Sequence, residues 1–168
     1  MRARARGSRY LPRMYETALI VHNVLRLAAV VVALWIVIRS VSGWLGNKPY
    51  SSTDRLGALI LTIMVDVQFV LGLLLHLVWS PVTKNAFQDM KAAMSDSGVR
   101  KFLVEHPIMM IAAIALVHAG KVMAKKSTSD RVRHRHIVVF VGIAILLFVF
   151  GTSWPWSAVP RPWLRMPG

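Results

Sequence analysis

The chain has 168 residues, 55% of them hydrophobic and 17% charged, with a net charge of +14 and no cysteine. The missing thiols exclude disulfides, thiolate metal ligation, c-type haem attachment and cysteine catalysis. Nucleic acid is set aside as a partner, because the basic residues flank apolar runs, where they meet anionic lipid headgroups at ~1 kcal/mol each.

Residues 1–16 open the chain as a basic tail, with Arg2, Arg4, Arg6, Arg9 and Arg13 in "MRARARGSRYLPR". The apolar run that follows, 17–38, is too long for the core of a signal peptide and lacks a small-residue cleavage site. It reads as a first membrane span that stays in the mature protein. Three more blocks follow at 56–79, 102–123 and 137–151, the last extended to 154 by "TSW". Each approaches the ~20 residues that carry a helix across ~30 Å of hydrocarbon. The expected fold is an all-α integral membrane protein. Its domain at 17–154 is a four-transmembrane-helix bundle with a short interfacial helix between spans 2 and 3. A Pro-rich tail, 155–168, closes the chain.

An even number of spans puts both termini on one side, called the N-side here. Trp79, Trp154 and Trp156 fall at that boundary, and Trp35 and Trp44 at the far one, as an aromatic belt requires. Loop 1 carries the breakers Gly43, Gly46 and Pro49 before the helix start "SSTD". In loop 2, Phe87, Met90, Ala93 and Met94 recur at helical spacing, which suggests a helix lying on the membrane. Loop 3 brings Lys121, Lys125, Lys126, Arg131, Arg133 and Arg135 to the far side, against the five tail arginines. The weight of the first span favours N-inside in a bacterial inner membrane.

Depth is read from the ~1.5 Å rise per helical residue. His22, His76 and His106 then lie about 7, 5 and 6 Å below the N-side surface, on three different spans. His118 sits toward the far side with no intramembrane histidine level with it, and His134 and His136 are expected to be solvated in a basic loop. Ionisable groups inside a span mark function by default, and bundles build cofactor sites from side chains on facing helices. A b-type haem asks for one or two neutral imidazoles and apolar walls. His22 and His106 are the favoured axial pair, with His76 as the alternative. Gly72, one turn before His76, leaves room for a flat macrocycle, and Met110 supplies a polarizable wall. Glu105 and Asn23 are candidates to fix an imidazole tautomer. Arg9, Arg13, Lys84, Arg100 and Lys101 are candidates to meet the propionates. Deeper, Arg26 is placed to pair with Asp66 or Gln68. A three-histidine metal site and a histidine-held chlorophyll are the lesser options.

The segments "YETALIVHNVLRLAAVVV", "VQFVLGLLL" and "QDMKAAMSDSGVRKFLVEHPIMM" carry a likeness of their own. From about Tyr15 to Trp154 the chain resembles a family of small bacterial four-span membrane proteins labelled cytochrome b-like. The likeness rests on His22, Arg26, Gln68, Gly72, Met90, Met94, Glu105 and His106. Span 4 has no intramembrane histidine, so a single haem b is expected rather than two. The leading expectation is a one-haem electron-transfer protein, or a subunit working with quinone or a larger redox complex. The alternative is a cofactor-free accessory subunit of a respiratory or photosynthetic membrane complex. A hydrolase is disfavoured, since no zinc-protease helix, nucleophile elbow or phosphate loop is present.

Overall fold

The computed structural model describes the backbone of residues 2–157 and the side chains of residues 14–157. The tail residues 158–168, and the expectations resting on the Arg9 and Arg13 side chains, lie outside what is described. The described chain is all helical. Helix α1 runs Arg2–Leu45 and α2 runs Ser52–Leu73, continued by a π-helical segment, Leu74–Trp79. Short helices α3 (Pro81–Ala86), α4 (Met90–Ser95) and α5 (Ser97–Arg100) form the second connection. A π-helical segment, Lys101–Glu105, then leads into α6 (His106–Lys126), and α7 (Asp130–Gly151) closes the bundle. Among the described residues four stretches are long and apolar enough to cross a membrane: Met14–Leu45, Ser52–Trp79, Ser97–Lys126 and Asp130–Gly151.

These spans outrun the apolar blocks, for a physical reason. Long cationic side chains bury their stems and keep their charges at the interface, so a helix need not stop where arginine begins. Helix α7 therefore starts at Asp130 and takes Arg131, Arg133 and Arg135 with it, leaving residues 127–129 as the whole turn from α6. The expected solvated loop 3 is for the most part helix. The expected single interfacial helix is divided: Asp89 and Asp96 each accept a backbone N–H at the start of the next short helix. Ala86 and Ala93 are buried with Leu103, while Phe87 and Met90 face outward.

The solid core lies in the far half of the bundle. Ala33 and Ile36 of α1, Ala58, Leu61 and Val65 of α2, Ala113 and Val117 of α6, and Ile137, Val141 and Ala144 of α7 fill it. Small residues set the helix spacing there, as they do where lipid removes most of the hydrophobic drive to associate. A Cβ on Gly120 would come within 2.9 Å of the Phe140 Cβ, and one on Gly57 within 2.8 Å of the Trp35 ring. At the same end, Asp54 accepts Arg39 Nε–H at 2.6 Å and both the N–H and the hydroxyl of Ser51, tying α1 to the first turn of α2.

His134 overturns its expectation. It is 2% exposed, not solvated. Its ring lies against Gly43, which has no side chain to oppose it, and meets the Tyr50 ring edge-on with centroids 5.0 Å apart. His136 is half-buried and shares a 3.0 Å hydrogen bond between Nδ1 and the Ser127 hydroxyl.

Candidate functional site

The near half of the bundle is hollow. A cavity of about 350 Å³ opens toward the N-side, with Tyr15, Asn23, Ser80, Thr83 and Ser153 among its lining. Below it lies a smaller one of about 110 Å³, walled by Val65, Phe69, Ile114 and Phe148. His22, Arg26, Gly72, His76, His106 and Thr152 line both, forming a waist between the upper chamber and a more apolar lower one. The three histidines expected at one level are thus brought to one space. Together the chambers are in the size range of small-molecule sites, ~300–1,000 Å³.

Two prolines help place the imidazoles. Pro81 disfavours α conformation at the residue before it, and Ser80 is extended, with ψ at 118°. Span 2 ends there in a π turn whose last bond runs from Ser80 N–H to Leu75 O at 2.8 Å, and His76 lies inside that turn. Pro107 has no N–H and its ring would strike the carbonyl four residues back. The turn before it widens likewise, with His106 N–H reaching Lys101 O. Single π turns inside α-helices frequently accompany functional sites.

His106 Nδ1 lies 2.9 Å from Gly151 O. A carbonyl only accepts, so Nδ1 carries the proton, and in the neutral ring Nε2 is left with a lone pair. This is how histidine ligands of metals are commonly oriented. Gly151 permits the bond by letting α7 approach: a Cβ there would lie 2.7 Å from Met110 Cε and 2.8 Å from Met109 Cβ. Glu105 does not take this role. It pairs instead with Arg100 at 3.0 Å, and Arg100 also donates to Met94 O.

His22 faces Gly72, where an added Cβ would sit 3.4 Å from His22 Cε1. The room left by the glycine is therefore shared with an imidazole. His22 Nδ1 is buried with no hydrogen-bond partner. Gln68, expected near Arg26, donates Nε2–H to His22 O at 3.0 Å and so braces α1 at the histidine itself. Met110 walls the lower chamber, and Asn23 lines the upper one.

Asp66 does not pair with Arg26. Its Oδ1 accepts from His118 Nε2 at 2.7 Å, and both side chains are half exposed, 49% and 45%. The Arg26 guanidinium lies over the Trp154 ring, 5.0 Å from its centroid, a cation–π arrangement. Lys101 donates to Phe150 O at 3.3 Å. Among the described residues no group of three His, Asp or Glu side chains is placed to hold one metal ion together. Sequence reasoning missed the Gly151 carbonyl, Ser153 and the Trp154 contact. The "HP" and "SP" pairs were the available signals for the π turns.

Comparison of this chain with protein-family models, with curated proteins and with solved structures finds no match.

Proposed function

We propose that this chain is a membrane electron-transfer protein, or a subunit of a bacterial redox complex, that holds one b-type haem in the hollow near half. The observation that supports it most directly is the His106 imidazole, held by Gly151 O with Nε2 left to ligate, beside His22 and His76 on the same cavity. The residues fit the group in kind: neutral nitrogen donors at the waist, an apolar wall below, and an orphaned buried nitrogen on His22. When bound, the haem supplies one-electron redox chemistry. His106 and His22 would hold it, with His76 the alternative partner. Val65, Phe69, Ile114 and Phe148 exclude water, and Gln68 keeps the α1 backbone at His22 in place. The host is a bacterial inner membrane with the N-side in the cytoplasm, and the redox partner is quinone or a larger respiratory or photosynthetic complex.

The test is spectroscopic. Purified protein reduced with dithionite shows a sharp b-type α-band, and His106→Ala abolishes it while the helical circular dichroism signal stays. A colourless wild-type protein sinks the reading.

One observation favours a second reading. The Asp66–His118 pair is half exposed well inside two spans, where a charge facing acyl chains costs several kcal/mol. A cofactor-free accessory subunit would cover that pair with a neighbouring subunit. Co-purification of colourless protein with a large complex, lost in Asp66→Leu, selects this reading over the first.

A further inference from the structure

Seven carboxylates are present in the chain, yet among the described residues none lines either chamber. What the upper chamber does offer is cationic and hydrogen-bonding. Side chains on a helix lean toward its N-terminus. Arg26, one turn below His22 on α1, accordingly carries its guanidinium back up to the level of Trp154, at the N-side end of span 4. The Trp154 ring beneath it is itself fixed, donating Nε1–H to Val149 O at 2.8 Å. Beside it, Ser153 is only 5% exposed, lines the upper chamber, and has a hydroxyl with no partner. Asn23, Ser80 and Thr83 add further polar groups around the same space. Two cations nearer the surface have partners outside the chamber: Arg100 meets Glu105 and Met94 O, and Lys101 meets Phe150 O.

We infer that the upper chamber is a carboxylate-recognition subsite, in which Arg26 and Ser153 bind the acidic arms of a macrocycle held at the histidine waist with its apolar edge toward the lower chamber. This rests on the haem reading and gives it a direction: the acidic arms are held inside the bundle by α1 and the end of span 4, rather than by lysines at the surface. Charge-assisted bonds to carboxylate are about twice as strong as neutral ones.

The experiment titrates haem-stripped protein in lipid nanodiscs with haemin and with haemin dimethyl ester, whose carboxylates are capped, following Soret absorbance. Metal-free protoporphyrin IX, followed by tryptophan quenching, reports the subsite without iron ligation. Wild-type protein is expected to prefer the free acid by about tenfold, equivalent to ~1.4 kcal/mol. Arg26→Gln brings that ratio near unity, Arg26→Lys keeps part of it, and Ser153→Ala lowers it about threefold. Equal affinity for acid and ester in the wild type overturns the subsite and leaves the haem reading standing. Failure of both porphyrins to bind overturns the haem reading and the subsite with it. Should Arg26→Gln fail to fold, the wild-type acid-to-ester ratio and Ser153→Ala still decide.

Discussion

The two ends of the bundle use the same residue in opposite ways. At the far end His134 is sealed between Gly43 and Tyr50, one more filler in a core of alanine, valine and isoleucine. At the near end His22, His76 and His106 border open space. Depth in the membrane does not separate these fates, since each of the four lies close to a span terminus. Their neighbours do. Ala113, Gly120, Val141 and Ala144 let α6 and α7 close up in the far half, whereas in the near half, where Gly151 still brings α7 onto α6, Arg26, Phe148, Met110 and His76 of the π turn border open space.

The largest expected effect tests the seal. Gly43→Leu drives a side chain into the His134 ring and costs about 3 kcal/mol by overpacking, read as a lower melting temperature in detergent. His134→Ala in the same chain restores most of the loss. A melting temperature unchanged by Gly43→Leu would mean the far half has slack and the comparison fails. Next comes Asp54→Ala, which strips Arg39 and Ser51 of their shared acceptor and costs about 1–3 kcal/mol. Asp54→Asn, which keeps an acceptor, should recover part of that in the same melt.

Gly72→Ala gives the smaller, contrasting result at the near end. The new methyl meets His22 Cε1 at an ordinary 3.4 Å, and alanine gains up to ~1 kcal/mol of helix propensity. Stability should hold or rise slightly, and on the haem reading proposed above haem affinity falls as the waist narrows. Loss of stability comparable to that of Gly43→Leu would show the near half to be packed as tightly as the far one. The smallest effect is in pH. Burial, and then the Asp54 charge, push the Tyr50 hydroxyl from its usual value near 10 up to about 12. The folded state thus holds this proton more tightly than the unfolded chain does. Its stabilising contribution is full below pH 10 and is lost as pH rises from about 10 to 12. Melting curves for wild type and Tyr50→Phe should run parallel below pH 10 and diverge above it, with the wild type falling faster.

The bundle and the level of its three histidines were legible because both follow from chain length: apolar runs long enough to span, and a constant rise that converts residue number to depth. Rotation about each helix axis was not legible. Asp66 turned to His118 rather than to Arg26, and Glu105 to Arg100 rather than to an imidazole. The partner of His106 is a backbone carbonyl 45 residues away, and no side chain announces it. His134 was readable in principle. With Ile137, Val141 and Ala144 it forms one stripe at helical spacing, the buried face of α7, but the arginines interleaved with it at 131, 133 and 135 made the segment look like a solvated loop.

The π turn at Leu74–Trp79 has one consequence on the scale of genes. Such a turn holds one residue more than the α turn it replaces, so loss of a single codon within it would restore the α register. Residues beyond the turn would keep their phase, while those inside it, His76 among them, would be re-aimed with hydrophobicity and length almost untouched. On the haem reading proposed above, three nucleotides along this helix decide where one of the candidate imidazoles points.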